Sequence, residues 1–397
     1  MEPRVRSSLR HALCTAAGLY ALSGCGARPD EPAVQRTDSA GVEMVVSGGV
    51  DRPLAWRFQR LFALGGADEG PEAFFRVSPG LVATDAAGNL YVLDGTNSRV
   101  VVFDANGTFL RSMGSSGGGP GEFGMPASVS VSPDGAVAVF DFAKGRLVRF
   151  DAAGQIADEQ PFPIFPAPNR QRHFEQFHDT TVVSANIALR DEGTLRQVLR
   201  EIVGADTLVL LDLPLPQPSM AIFERCGGGL QLPPIFAPEI AWAARDGTVA
   251  VTSTAAYSIA LWPAGTVSRI VRRAIAAEPA TRDDAIRHLG EGMRVNFGRG
   301  PCLIDPGEMV DKRGYADVVP PIGTVLLGPA GELWVRRFTV DPQAVPPIDV
   351  FDERGTYVGT LVRDAFTPVI LLPGDRVGVV EKDAADVERL AVFAIRK

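Results

Sequence analysis

A turn residue, usually glycine, then a run of β-branched and aromatic residues, then a polar side chain: this pattern recurs along the chain and limits what it can fold into. It reads Gly88-Asn-Leu-Tyr-Val-Leu-Asp94, Gly135-Ala-Val-Ala-Val-Phe-Asp141, Gly247-Thr-Val-Ala-Val-Thr-Ser253 and Gly331-Glu-Leu-Trp-Val-Arg-Arg337. Two looser copies fit the same frame, Thr180-Thr-Val-Val-Ser-Ala-Asn186 and Asp375-Arg-Val-Gly-Val-Val-Glu381. The copies begin at positions 88, 135, 180, 247, 331 and 375. Three of the five intervals lie near the roughly 40–50 residues of one unit in a radial repeat fold, so the two longer ones hold insertions.

A second element follows at a fixed distance. Val102-Phe103-Asp104-Ala-Asn-Gly107, Arg149-Phe150-Asp151-Ala-Ala-Gly154 and Leu261-Trp262-Pro263-Ala-Gly265 each place an aromatic ring nine positions after the closing polar residue. Val350-Phe351-Asp352-Glu-Arg-Gly355 repeats it after a longer hairpin. Each is a strand ending in a tight turn, where Asp caps amides, Gly supplies positive φ, and the chain returns antiparallel. The 42 Gly and 31 Pro, well above average usage, supply such turns throughout. Strands at this spacing build a four-stranded antiparallel blade. One blade cannot bury both faces, so blades stack around an axis and their strands are continuously apolar. The expected fold is all-β: a six-bladed β-propeller of four-stranded antiparallel blades with a short helical insertion, over residues 41–397.

The run Gly117-Gly118-Gly119-Pro120-Gly121-Glu122-Phe123 ahead of Pro126, the Asp94-Gly-Thr-Asn-Ser-Arg99 turn and the Val102-Phe103-Asp104 strand resemble the NHL-repeat class of six-bladed propellers. The likeness is sharp over residues 77–155, recognisable at 245–265 and 318–362, and weak over 160–235. Nearly the whole chain, including Ala40-Gly41-Val42-Glu43, is also similar to bacterial lipoproteins known only as six-bladed propellers. Both likenesses imply a fold more than a function. The last blade holds about three strands within 367–397. Its missing strand is expected from Trp56–Leu64 or Val42–Val46, because an open sheet edge invites aggregation. Two stretches depart from the repeat. Residues 155–175, rich in Pro and Phe, read as an ordered excursion without strands. Residues 277–316 read as an insertion whose Thr281-Arg-Asp-Asp284-Ala-Ile-Arg-His-Leu289 segment is helical, capped by Thr281 and Asp284.

The N-terminus is an address. Arg4, Arg6 and Arg10 precede an apolar run from Ala12 to Leu22, a signal peptide over 1–24 too short to cross a bilayer as a helix. It ends in Leu22-Ser23-Gly24-Cys25, which resembles the bacterial lipobox and implies lipidation at Cys25. The other reading is an ordinary secretory signal that happens to leave Cys25 near the cleavage site. Residues 25–40 read as a flexible tether, so the membrane is touched through acyl chains alone. By likeness to Gram-negative sorting, Gly26 in place of Asp retains nothing at the inner membrane, which places the protein in the cell envelope, at the outer membrane or facing the periplasm. An exported chain matures under oxidising conditions, where the remaining Cys226 and Cys302 form a disulfide or stay as two buried thiols.

Net charge is −8, which argues against a nucleic-acid partner. Four His and four Cys are too few for a His-rich metal centre. The Gly114–Gly121 run lacks the Gly-Lys-Ser/Thr ending of a phosphate loop, and Pro120 removes a donor. Gly114-Ser115-Ser116-Gly117-Gly118 matches a nucleophile elbow in letters only, because no helix can follow it. His173, His178 and His288 form no ligand spacing and read as surface or packing residues. The residues that close the repeated strand form a column: Asp94, Asp141, Asn186, Ser253, Arg337 and Glu381. These six side chains either face a shared channel mouth or satisfy their own turns. As oxygen donors they suit calcium, and they resemble loosely the ligands of calcium-dependent gluconolactonase-type propellers, although Arg337 opposes a cation. The basic stretch Arg269-Ile-Val-Arg272-Arg273 reads as a solvated strand face rather than an anion site.

The expected function is a lipid-anchored, monomeric extracytoplasmic platform that binds a small molecule or a protein and does no chemistry. It needs no cofactor unless calcium fills the column. The competing expectation is a calcium-dependent hydrolytic propeller of lactonase or lyase kind.

Overall fold

The computed structural model describes residues 34–66, 70, 73–74, 76–78, 80–162, 174–177, 180–189, 194–203, 206–215, 219–382 and 387–397. Cys25, the signal segment, His173 and His178 lie outside them. Strands dominate, arranged in five four-stranded sheets, one six-stranded sheet and three small two-stranded pairs. Blade 1 runs from Val82 to Met113, blade 2 from Pro126 to Pro161, blade 3 from Phe174 to Leu215, blade 4 from Ile240 to Arg273 and blade 5 from Ile322 to Leu361. Blade 6 takes three strands from Thr367 to Arg396 and its outer strand from Arg57–Leu64, which pairs antiparallel with Glu388–Arg396. The ring is therefore zipped by both ends of the chain. The first strand of every blade touches the next blade around the circle, and that of blade 6 returns to that of blade 1.

Two-sided burial explains the continuous apolar runs. Alternate residues of Leu90–Asp94 serve different cores: Leu90 and Val92 pack against Val369, Leu372 and Leu390 of blade 6, while Tyr91 and Leu93 pack against Val129, Val137 and Val139 of blade 2. The same division recurs at each junction around the ring. The glycine run between blades 1 and 2 serves this packing. It folds back so that Phe123 N–H donates to Ser115 O and Gly117 N–H to Phe123 O, driving the fully buried Phe123 ring between the blades. Gly114 has φ +83°, and a Cβ there would lie 2.1 Å from that ring. The run is a turn.

Residues 155–175 differ in part from expectation: Ile156–Pro161 is the outer strand of blade 2, paired with Arg146–Phe150. Pro161 is tolerated there because it ends an edge strand, where its missing N–H breaks no ladder. The candidate closing strands also divide. Arg57–Leu64 completes blade 6, whereas Val42–Ser47 runs parallel to Arg269–Arg273 and, with the exposed Gln35–Ser39, widens blade 4 to six strands.

Strand alternation fixes which loops share a face. The turns after each second strand and the links between blades lie at one end of the ring; the turns after first and third strands lie at the other. Both long insertions are inter-blade links, so both sit on the first face. One contributes the hairpin Ser219–Phe223 with Gly228–Leu232. The other contributes α1 (Arg282–Leu289), the pair Met293–Val295 with Cys302–Ile304, and α2 (Pro306–Arg313). A capping box between Thr281 and Asp284 starts α1. The second helix goes beyond the single helix expected in 277–316, and Asp305-Pro306 starts it with an N-cap followed by proline at the first helical position. The two insertions share a small core of Ala221, Phe223, Cys226, Ile304 and Met309, stapled by the Cys226–Cys302 disulfide with Cα atoms 5.5 Å apart.

Candidate ligand channel

The six residues of the polar column stand at corresponding strand positions, and the side chains of Asp94, Asp141, Arg337 and Glu381 are engaged by other protein groups. Asp94, almost wholly buried, accepts from Asn97 N–H at 3.2 Å, Asn97 Nδ2 at 2.7 Å and Arg99 Nε at 3.2 Å. Asp141 accepts from the amides of Gly124, Met125 and Lys144, which ties its turn to the glycine run. The Ser253 carbonyl accepts from Ala256 N–H and Thr252 Oγ1. Glu381 pairs with Arg60 of the closing strand at 2.9 Å. Asn186 stands opposite Gln197 in the register of blade 3, its side chain outside what is described.

Arg337 belongs to a buried polar knot that the sequence did not reveal. Asp349, with no exposed surface, accepts from Tyr257 Oη at 2.6 Å, Thr360 Oγ1 at 2.6 Å, and Arg337 Nε and Nη2 at 2.9 and 2.8 Å. Arg273 Nη1 lies 3.0 Å from the same carboxylate, and its guanidinium stacks 3.9 Å from the centre of the Tyr357 ring. Arg273 also donates to Gly48 O, Val50 O and Asp51, and Arg337 reaches Asp51 as well. Burial alone would raise the Asp349 pKa. The hydrogen bonds from Arg337, Thr360 and Tyr257 and the charge of Arg273 outweigh it and hold the carboxyl below its usual range. Burial, with the neighbouring Asp349 charge, pushes the Tyr257 phenol well above its usual value. Arg273 is thus buried in a clasp, against the reading of 269–273 as a solvated face. It holds the N-terminal lead-in across blades 4 and 5, and each of its three guanidinium nitrogens has a protein partner.

The open space lies on the ring axis. A channel of about 590 Å³ is lined chiefly by the first strands of blades 1, 4, 5 and 6, with Val131 and Pro133 from blade 2. Its wall is mostly apolar, including Val82, Ala83, Trp242, Val325 and Val369. Four charged residues line it: Asp85, Arg245, Asp246 and Arg336. Asp85 accepts from Asn89 N–H, Asn89 Nδ2 and Tyr91 Oη, and is committed to its turn. Arg245, the last residue of its strand, reaches across to donate to Leu371 O of blade 6 at 2.7 Å and lies 4.0 Å from Asp246. Arg336 is different. Half-buried, it has no hydrogen bond or ion pair among the described residues, and burial lowers its pKa. It stands opposite Thr324 in the register of blade 5, so the two side chains share one face. The expected column named Arg337 and missed Arg336. Side chains alternate with period two, so adjacent residues serve opposite faces of the blade: Arg337 the junction with blade 4, Arg336 the side toward blade 6, from which it lines the channel.

Among the described residues no group of three or more His, Cys, Asp or Glu is placed to hold a metal ion. His288 packs between Phe236 and Phe338, with ring centroids 5.3 and 5.1 Å away.

Residues 77–180 match a family, DUF5128, described as a 6-bladed beta-propeller. Among solved structures the chain is similar to a Bacteroides fragilis protein described as exported, at 12% identity over 89% of this chain and 99% of that one, with a TM-score of 0.48. It is similar to virginiamycin B lyase from Staphylococcus aureus at 11% identity, over 85% and 99%, with a TM-score of 0.36. It is also similar to a gluconolactonase from Xanthomonas campestris at 12% identity, over 91% and 100%, with a TM-score of 0.36. The protein is an all-β propeller. At these identities and scores, none of the three neighbours bears on what the channel holds.

Proposed function

We propose that this chain is an exported, lipid-anchored propeller of NHL-repeat type that binds a small ligand in its central channel without transforming it. The observation that carries the reading is the channel itself: a concave space of about 590 Å³ on a closed ring, lined by apolar side chains with Asp85, Arg245, Asp246 and Arg336 set among them. That combination is the usual character of a small-molecule site. The Arg-rich leader, the Leu22-Ser23-Gly24-Cys25 segment and the Cys226–Cys302 bond support export and anchoring at Cys25. Absence of catalysis is supported by the channel carboxylates, since Asp85 is saturated by its own turn and Asp246 is exposed beside Arg245.

The test uses the mature chain from residue 25 with Cys25→Ser, screened by thermal shift and calorimetry against small organic metabolites. Thr367 is exposed on the channel lining, so Thr367→Trp narrows the space. Ligands that raise the melting temperature of the parent chain should fail on Thr367→Trp. Equal shifts in both proteins would place binding elsewhere, and recovery of a chemically changed ligand would make the protein an enzyme.

A further inference from the structure

We infer that Arg336 is the counter-charge for a small organic acid: its carboxylate meets the guanidinium, and its apolar body lies along the channel wall. The inference rests on the channel reading above and names its ligand class.

Three independent observations converge on it. The first is internal to the repeat. At the sixth position of the repeated strand the other copies carry Leu93, Phe140, Ala185, Thr252 and Val380. Only the blade 5 copy carries a charge there. Such a position packs one blade against the next, and a cation there works against the fold unless something compensates it.

The second is the missing partner. Arg273, Arg337, Arg245 and Arg99 all donate to protein oxygens, whereas Arg336 has no described partner although it is half-buried. Neither channel carboxylate can supply one. Asp85 is held by Asn89 and Tyr91, and Asp246 sits beside Arg245. Arg245 ends a first strand, and Arg336 lies next to the end of a second strand, so the two cations stand toward opposite ends of the channel. The vacancy for a negative charge is at the end that carries the insertions.

The third is the wall. Thr324 stands opposite Arg336 in the strand register, and the same channel is lined by apolar residues Val325, Val369, Ile370, Val82 and Trp242. A guanidinium with a neighbouring hydroxyl suits a planar carboxylate, and apolar surface beyond it suits a hydrocarbon or aromatic body. A bare inorganic anion would leave that wall wet.

The test compares octanoate and 3-phenylpropionate with their uncharged matches, octanamide and 3-phenylpropionamide. It uses the mature Cys25→Ser chain and calorimetry, with Arg336→Met and Arg336→Lys beside the parent. The parent should bind at least one acid more tightly than its amide. Arg336→Met should weaken that acid by about ten- to a hundredfold, the worth of a charge-assisted hydrogen bond, and leave the amide unchanged. Arg336→Lys should recover part of the loss. Without ligand, Arg336→Met should melt no lower than the parent, because it removes a charge that nothing in the fold neutralises. A clearly lower melt would mean that Arg336 serves the fold and would overturn the inference. If acid and amide bind alike and Arg336→Met changes neither, the channel reading stands and the anion assignment falls. If none of the four probes binds, the anion assignment falls, and the channel reading is decided by the metabolite screen with Thr367→Trp.

Discussion

Replacing Asp349 by asparagine tests the most concentrated electrostatic feature of the fold. The carboxylate has no exposed surface and receives Tyr257, Thr360 and two nitrogens of Arg337, with Arg273 Nη1 at 3.0 Å. Asparagine keeps the shape but removes the charge, and it turns one acceptor oxygen into an NH2 that faces donors. Two guanidinium groups then share only Asp51, whose side chain is 43% exposed. Removing one partner of a buried ion pair costs about 3–5 kcal/mol. With an unfolding entropy near 2.1 cal/mol/K per residue over the roughly 330 described residues, that corresponds to a fall in Tm of about 4–7 °C. Calorimetry at pH 7 on the Cys25→Ser chain reads it directly.

The pH dependence supplies a second readout. Because the folded pKa of Asp349 is depressed, its contribution is present above the ordinary carboxylate pKa and is lost as pH falls below about 4 through the folded value. The parent should lose this increment in acid, and Asp349→Asn should not. Limited proteolysis completes the test, since Arg273 holds Gly48, Val50 and Asp51: cleavage between Ser47 and Pro53 should appear in the variant under native conditions. A loss below about 1 kcal/mol with an uncut lead-in would refute the clasp, because a surface pair has that worth.

Other expectations follow from groups at the remaining junctions. Glu201 of blade 3 is 7% exposed, its Oε2 lacks a hydrogen bond among the described residues, and burial raises its pKa. Its ionisation therefore opposes folding: the parent should gain stability as pH falls from neutral toward the ordinary glutamate range, about 4, and Glu201→Gln should abolish the gain in a melt series. Burial beside Asp85 pushes the Tyr91 phenol up to about 12, so stability should fall between pH 10 and 12, and less so in Tyr91→Phe. Opening the Cys226–Cys302 bond, 76 residues apart, should cost about 4–5 kcal/mol by chain entropy, with hydrogen exchange rising in 219–232 and 282–313 while the ring stays protected. Phe123→Ala should cost about 3–5 kcal/mol in denaturant titration, as it empties the wedge between blades 1 and 2.

Blade architecture was legible because it is written in local chemistry. Turn glycine, apolar run and Asp-x-x-Gly return each act within a few residues, and repetition multiplies a weak signal. Zipping of the ring was half legible: the need for one more strand follows from edge physics, but the choice between Arg57–Leu64 and Val42–Ser47 depends on pairings more than 200 residues apart. The clasp was opaque for the same reason. Arg273, Asp349 and Asp51 are ordinary charges in the sequence and meet only when blades 4 and 5 stand side by side.

Arg336 stands one register step from the candidate column, for which both a channel-facing role and a local turn role were open. The column was chosen at the seventh repeat position, where polar residues recur, and recurrence proved to mark turn chemistry: Asp94 and Asp141 are spent on amides. A residue needed by every blade for folding is poorly placed to serve one ligand. The opposite criterion finds Arg336, the one charged residue at the sixth position, where the other copies carry uncharged residues. In a repeat protein the folding requirement is measured internally by the other copies, so the departure from it, rather than the regularity, is where a binding function is to be sought. By that criterion the blade 5 strand, with Arg336 lining the channel and Arg337 in the clasp, would join the proposed ligand site and the N-terminal strap through adjacent residues. Occupancy of the channel should therefore raise the protection of the Gly48–Asp51 lead-in against proteolysis. An acid that binds with no such protection would show that the two faces of the strand act independently.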